Sequence, residues 1–125
     1  MDMLNRRGEY PIGEVKPYIK GNCYDFVTSS LGLDRMFAPN DKILAEYFEI
    51  GVDVKEANVV GVRTNYRDGT GDYTHMGLVK NLGSKIVIDH VPNVGQDREP
   101  NVELDEFVER YSQDGGQIVF LKLKN

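Results

Sequence analysis

A single cysteine among 125 residues excludes an intrachain disulfide, and with it the cystine-stapled class of small secreted domains. The lone thiol, Cys23, is therefore buried filler, a ligand or a nucleophile. Histidine is almost as scarce, so any imidazole chemistry rests on His75 and His90. No run of about 18 apolar residues occurs, and the segment MDMLNRRGEYPIGE lacks the roughly 7–15-residue apolar stretch of a signal peptide. The chain as written is expected to be soluble and cytoplasmic, with no membrane partner. A removed signal, or export by another route, would leave no trace in it. Basic residues are the minority, 15 against 20 acidic, and the net charge of −5 gives no general attraction to nucleic acid or to an anionic membrane. Arg6-Arg7 reads as part of a solvated N-terminus.

What is present is ordinary for a globular domain: 40% hydrophobic and 28% charged residues, away from the disordered and fibrous classes. A chain of this length forms one core, so residues 1–125 are read as a single domain with one site. Residues 1–17, with Gly8, Pro11, Gly13 and Pro17, are an irregular lead-in. Cys23, Phe26, Val27 and Leu31 then fall at i, i+3, i+4 and i+8 between Asn22, a good N-cap, and Gly32, a good terminator. A second helix is expected from Asn40 or Asp41 through Ile43, Leu44, Tyr47 and Phe48 to Gly51. Three β-branched segments follow, 58–64, 75–80 and 85–91, the last two joined as a hairpin by Asn81-Leu82-Gly83-Ser84. After a proline-punctuated stretch, 92–100, a third helix carries Leu104, Phe107, Val108 and Tyr111 behind a start at Asn101 or Val102, and 117–124 is a final strand. Helices first, then strands, with one late helix, predict an α+β fold with an antiparallel sheet.

A free thiol is mostly protonated at neutral pH, and a helix N-terminus favours its anion. With Asn22 as N-cap, Cys23 is the first helical residue, and the unpaired N–H groups there could also hold an oxyanion. The hairpin brings His75 and His90 to the same end. One imidazole would exchange a proton with sulfur, while the other, or Asp89, would bind its far nitrogen. Alternation leaves Asp89 and His90 unresolved, since Ile86 and Ile88 share a face with His90 while Val87 and Val91 share the other with Asp89.

In order and local sequence these segments resemble the NlpC/P60 cysteine peptidases of the papain-like superfamily. Tyr18 followed by Gly21-Asn22-Cys23-Tyr24-Asp25-Phe26-Val27 is similar to that family's tyrosine and Asp-Cys-Ser-Gly-Phe helix start, with Asn for Asp and Tyr-Asp for Ser-Gly. Thr74-His75-Met76-Gly77-Leu78-Val79 resembles its His-Val-Gly-Ile-Tyr strand, and Ile86 to His90 resembles the next strand, which ends in a polar catalytic residue, commonly histidine. The resemblance implies a papain-like fold, N-terminal helices packed on an antiparallel sheet, with Cys23 as nucleophile, His75 as base and His90 as third residue. Asp89 is the alternative third residue, and Tyr18 and Asn22 are weaker substrate or oxyanion contacts. The implied activity is hydrolysis of an amide or isopeptide bond through a thioester, on a peptide such as a cell-wall peptide, without cofactor or metal.

Two rivals accompany this reading. The scaffold could serve as an inactive binding module, the residues beside Cys23 having changed, or Cys23, His75 and His90 could bind zinc. Asp68, Thr70 and Asp72 have the alternate spacing of oxygen ligands but lack a calcium loop's terminal Glu, so a solvated loop is expected. Residues 65–73 would form a pocket wall, and Glu103, Asp105, Glu106 and Glu109 a solvated helix face.

Overall fold

The computed structural model describes residues 21–65, 71–113 and 115–124. The lead-in 1–17 and Tyr18 lie outside them. Helix α1, Cys23–Leu31, has the expected bounds: Asn22 caps it and Gly32 closes it in the left-handed conformation at φ 72°. Helix α2 is only Asp41–Leu44, capped by Asn40. The helix expected to run to Gly51 stops there because Phe48–Ile50 is a strand, β1, which pairs with the C-terminal strand through Phe48 and Leu123. Tertiary pairing and the burial of Phe48 override a helical spacing of apolar residues.

The remaining elements are β2 (Val59–Asn65), β3 (Gly71–Asn81), β4 (Ile86–His90), β5 (Glu99–Glu103), α3 (Leu104–Ser112) and β6 (Gln117–Leu123). The strands form one antiparallel sheet in the order β1-β6-β2-β3-β4-β5. The fold is thus α+β, as the element order predicts. Strand β5 is a departure, spanning the end of the proline-punctuated stretch and the expected start of the third helix. An edge strand tolerates Pro100, and Asn101 adopts φ 59°, a conformation open to asparagine. The α3 start correspondingly falls at Leu104, after Asn101 and Val102.

Both faces of the sheet are covered. On one, Cys23, Tyr24 and Val27 of α1 and Leu44 of α2 pack with Val59, Tyr73, Met76 and Leu121. On the other, Phe107 of α3 packs with Val60, Val62, Ile88 and Val102. A β-bulge decides which residues of β3 face which layer: Val62 pairs with His75 but Arg63 pairs with Tyr73, so Thr74 is the extra residue. Without it Tyr73 and His75 would share a face. With it Tyr73 joins the α1 layer, donating from its phenol to Asp41 at 2.8 Å, while His75 turns to α3.

Candidate active site

The two histidines meet beneath α3. The ring of His75 is stacked on Tyr111 at 4.4 Å and 14°, with Phe107 beyond at 5.9 Å. His90 meets Phe107 edge-on at 5.3 Å. Nε2 of His75 lies 2.7 Å from Nδ1 of His90, a short hydrogen bond. The far nitrogen of His90, Nε2, lies 2.9 Å from Oε1 of Glu99. Arg110 then donates to both carboxylate oxygens of Glu99, at 2.8 and 3.4 Å, and to Glu106 at 2.6 Å. The result is a continuous line from Arg110 through Glu99 and His90 to His75.

A second irregularity produces the Glu99 contact. The register of β4 against β5 shifts between Ile88 and His90, so that Glu99, rather than Pro100, stands opposite His90. Asp89 secures this shift, its carboxylate accepting the N–H of Asn101 at 2.8 Å while pairing with Lys80 at 3.2 Å. Asp89 therefore lies away from His75, and among the two candidates it is His90 that binds the imidazole. Close approach of the strands is possible because residue 77 is glycine: a Cβ there would lie 2.8 Å from Cγ2 of Ile88 and 3.1 Å from Cβ of His90.

Burial controls the charge state of the pair. It is the largest influence pushing His75 down to about 3, followed by the neighbouring His90 and Arg110. Burial also lowers His90, against the raising effect of Glu99. Arg110 holds Glu99 below the usual carboxylate range. At neutral pH the line is a guanidinium, a carboxylate and two neutral imidazoles.

Cys23 opens α1, and the N-cap is a full capping box: the Asn22 side chain accepts from the Asp25 N–H at 2.8 Å, and the Asn22 N–H donates to Asp25 at 3.4 Å. Asn22 thus has a structural task beside any contact with substrate. Tyr24 and Asp25, the departures from Ser-Gly, have structural tasks too. Tyr24 is buried and donates to the Tyr73 carbonyl at 2.6 Å, while Asp25 pairs with Arg35 at 3.0 Å. Cys23 is 7% exposed. The neighbouring backbone N–H groups of Met76, the residue after His75, and of Cys23 and Tyr24 favour the thiolate, but burial outweighs them and pushes the thiol up to about 11. The helix terminus alone, expected to ionise Cys23, does not do so in this arrangement. Among the described residues no hydrogen bond joins the sulfur to an imidazole, and α1 packs on the face opposite to that bearing the His75 ring.

A zinc site does not fit the pair as arranged, since two ligands each about 2.0–2.1 Å from a tetrahedral ion stand farther apart than a 2.7 Å hydrogen bond. Asp72 lies within β3, opposite Thr64, while Asp68 and Thr70 fall outside the described residues, as does most of the expected pocket wall. Glu99, Arg110 and Tyr111 were missed by sequence reasoning. Tyr111 was legible only as an apolar helix position, and Glu99 sits in a segment with no strand signal. No family model, curated protein or solved structure matches the chain.

Proposed function

We propose that this chain is a papain-like thiol hydrolase of the NlpC/P60 type, cleaving an amide or isopeptide bond of a peptide substrate with Cys23 as nucleophile. The observation that carries the reading is the convergence at β3: the Met76 backbone N–H favours the Cys23 thiolate, while the preceding residue, His75, has its Nε2 taken by His90. That leaves Nδ1 as the His75 nitrogen available to the thiol. The order of cysteine on a helix start, histidine on a strand and polar residue on the next strand supports it further.

The resting thiol and imidazole are both neutral, so the chemistry runs by general base catalysis. Because no hydrogen bond joins the two groups at rest, this reading requires the thiol to come within reach of His75, whose Nδ1 then takes its proton as sulfur bonds to the carbonyl carbon and the carbonyl oxygen becomes an oxyanion near the α1 N-terminus. The imidazolium then protonates the leaving nitrogen, the C–N bond breaks, and a thioester remains. A water gives its proton to His75 and attacks the thioester, releasing a carboxylate and the restored thiol. His90 holds the ring of His75 through Nε2 during both proton transfers.

The near-complete burial of Cys23 favours a second reading, a binding module with an inert thiol. Alkylation by iodoacetamide, followed by intact mass at pH 6–7, separates the two. The hydrolase reading expects Cys23 in the folded protein to react about 10²-fold faster than in His75→Ala, the usual scale of general base assistance. A thiol that is inert until unfolding, or equally reactive without His75, refutes it.

A further inference from the structure

The geometry points to Glu99, held by Arg110, as the residue that fixes which nitrogen of each buried imidazole carries its proton, making Nδ1 of His75 the basic one. The use of that nitrogen rests on the thiol-hydrolase reading; the proton assignment rests on hydrogen-bond logic alone.

An ionised carboxylate only accepts hydrogen bonds. Glu99 is ionised beside Arg110, so the 2.9 Å contact with His90 requires His90 Nε2 to be the donor. A neutral imidazole has one donor and one acceptor nitrogen, so His90 Nδ1 must accept. The group 2.7 Å from it, His75 Nε2, must then carry a proton, and His75 Nδ1 is left with its lone pair. Each step follows from the one before, and the chain begins at the carboxylate. The charged and titratable groups packed around the pair are Glu99 from β5, Asp89 from β4, Arg110 and Tyr111 from α3, and Cys23 from α1, which reaches Tyr111 electrostatically.

Arg110 makes the assignment depend on Glu99. A guanidinium has donors and no acceptor. Were Glu99 removed, the Arg110 guanidinium, which already acts electrostatically on His90, would be left facing it from the Glu99 side, favouring a lone pair on Nε2 and a proton on Nδ1. That proton would point at His75 Nε2 and move the His75 proton to Nδ1, abolishing the base. Glu99 thus decides between two opposite proton patterns of the same pair. When His75 receives the thiol proton, the same line places the Glu99 carboxylate at its far end, where it favours the imidazolium.

The test is a two-bond 1H–15N correlation spectrum of the full chain at pH 7.5, with histidine nitrogens labelled. In the wild type both rings are expected as Nε2–H tautomers. In Glu99→Ala both are expected to move together toward Nδ1–H, with the alkylation rate of Cys23 falling about 10- to 100-fold. Glu99→Gln, which keeps an acceptor oxygen, is expected to restore the wild-type pattern. A wild-type His75 with its proton on Nδ1, or unchanged tautomers in Glu99→Ala, overturns the assignment. The spectrum needs neither substrate nor a reactive thiol. Tautomers as stated with alkylation indifferent to His75→Ala would sink the hydrolase and leave the assignment standing. The reverse pair of results would do the opposite.

Discussion

Acid should weaken this fold well above the pH at which its carboxylates titrate, and His75 sets the scale. In the folded chain the residue is 6% exposed and its pKa is depressed to about 3 from an ordinary 6.5. Between those values the unfolded chain binds a proton that the folded chain refuses, so stability rises with pH across the window. The contribution is complete above pH 6.5 and is lost as the pH falls toward 3. One differential proton changes the folding constant about tenfold per pH unit, so by pH 4.5 His75 alone removes about 3 kcal/mol. His90, depressed in the same direction, adds to the loss. Glu99 and Asp41 are shifted down as acids, so their stabilisation fades only as the pH falls below the ordinary carboxylate values of 4.5 and 3.8. The interval from 6.5 to 4.5 therefore belongs to the imidazoles. A loss of this size is a large share of a typical net stability of about 5–15 kcal/mol. Urea unfolding at half-unit pH steps measures it, with His75→Phe as the control, since an aromatic ring there keeps the packing against Tyr111 and Phe107 and cannot take up a proton. The slope should fall by about one proton in that variant. A wild-type stability that is flat from 6.5 to 4.5, or a slope unchanged in His75→Phe, would refute the reasoning.

Two further changes probe the layer that buries the pair. Phe107→Ala removes a ring that is fully buried against both histidines, and should cost about 3–5 kcal/mol in urea unfolding while admitting water that raises His75 toward its ordinary value. Retention of the depressed His75 titration by NMR would show that Phe107 does not exclude solvent from it. Gly77→Ala puts a methyl 2.8 Å from Ile88, so β4 must move away from β3. A cost of about 1–3 kcal/mol and loss of the His75–His90 hydrogen-bond signature are expected, whereas an intact signature would mean that the strands can absorb the methyl elsewhere.

The helix carrying Cys23 was legible because its signals are local: an asparagine cap, a 3.6-residue apolar spacing and a terminal glycine agree with one another. The β3–β4 hairpin was legible for the same reason, but its turn falls one residue later than Asn81 to Ser84: Asn81 pairs with Ile86, so the register is displaced by two. The segment around Phe48 was misread because its apolar residues suit either a helix or an edge strand, and only Leu123, 75 positions away, selects the strand. Strand β5 escaped notice because Glu99, Pro100 and Asn101 lack strand propensity and are held by contacts to β4, among them the bond from Asn101 to Asp89.

The ambiguity between Asp89 and His90 had a physical basis: with helices on both faces of the sheet, adjacent residues of β4 are both buried, and apolar alternation carries no information about which face holds the site. What separates the two residues is the pair of register shifts. The shift at Thr74 turns His75 toward α3, on the side of His90, and the one between Ile88 and His90 brings Glu99 opposite the second imidazole. Asp89, excluded from the line of proton carriers, fastens the shift that admits Glu99 to it. The same geometry changes the role of the helix terminus. The backbone N–H groups near the sulfur are too weak an influence to offset its burial, so the hydrolase reading requires the negative charge to arise together with its neutralising partner, as His75 accepts the proton. Under the hydrolase reading, reactivity then depends less on the cysteine's own surroundings than on whether His75 offers a lone pair. That condition is set two residues along a hydrogen-bonded line, at a glutamate on the edge of the sheet.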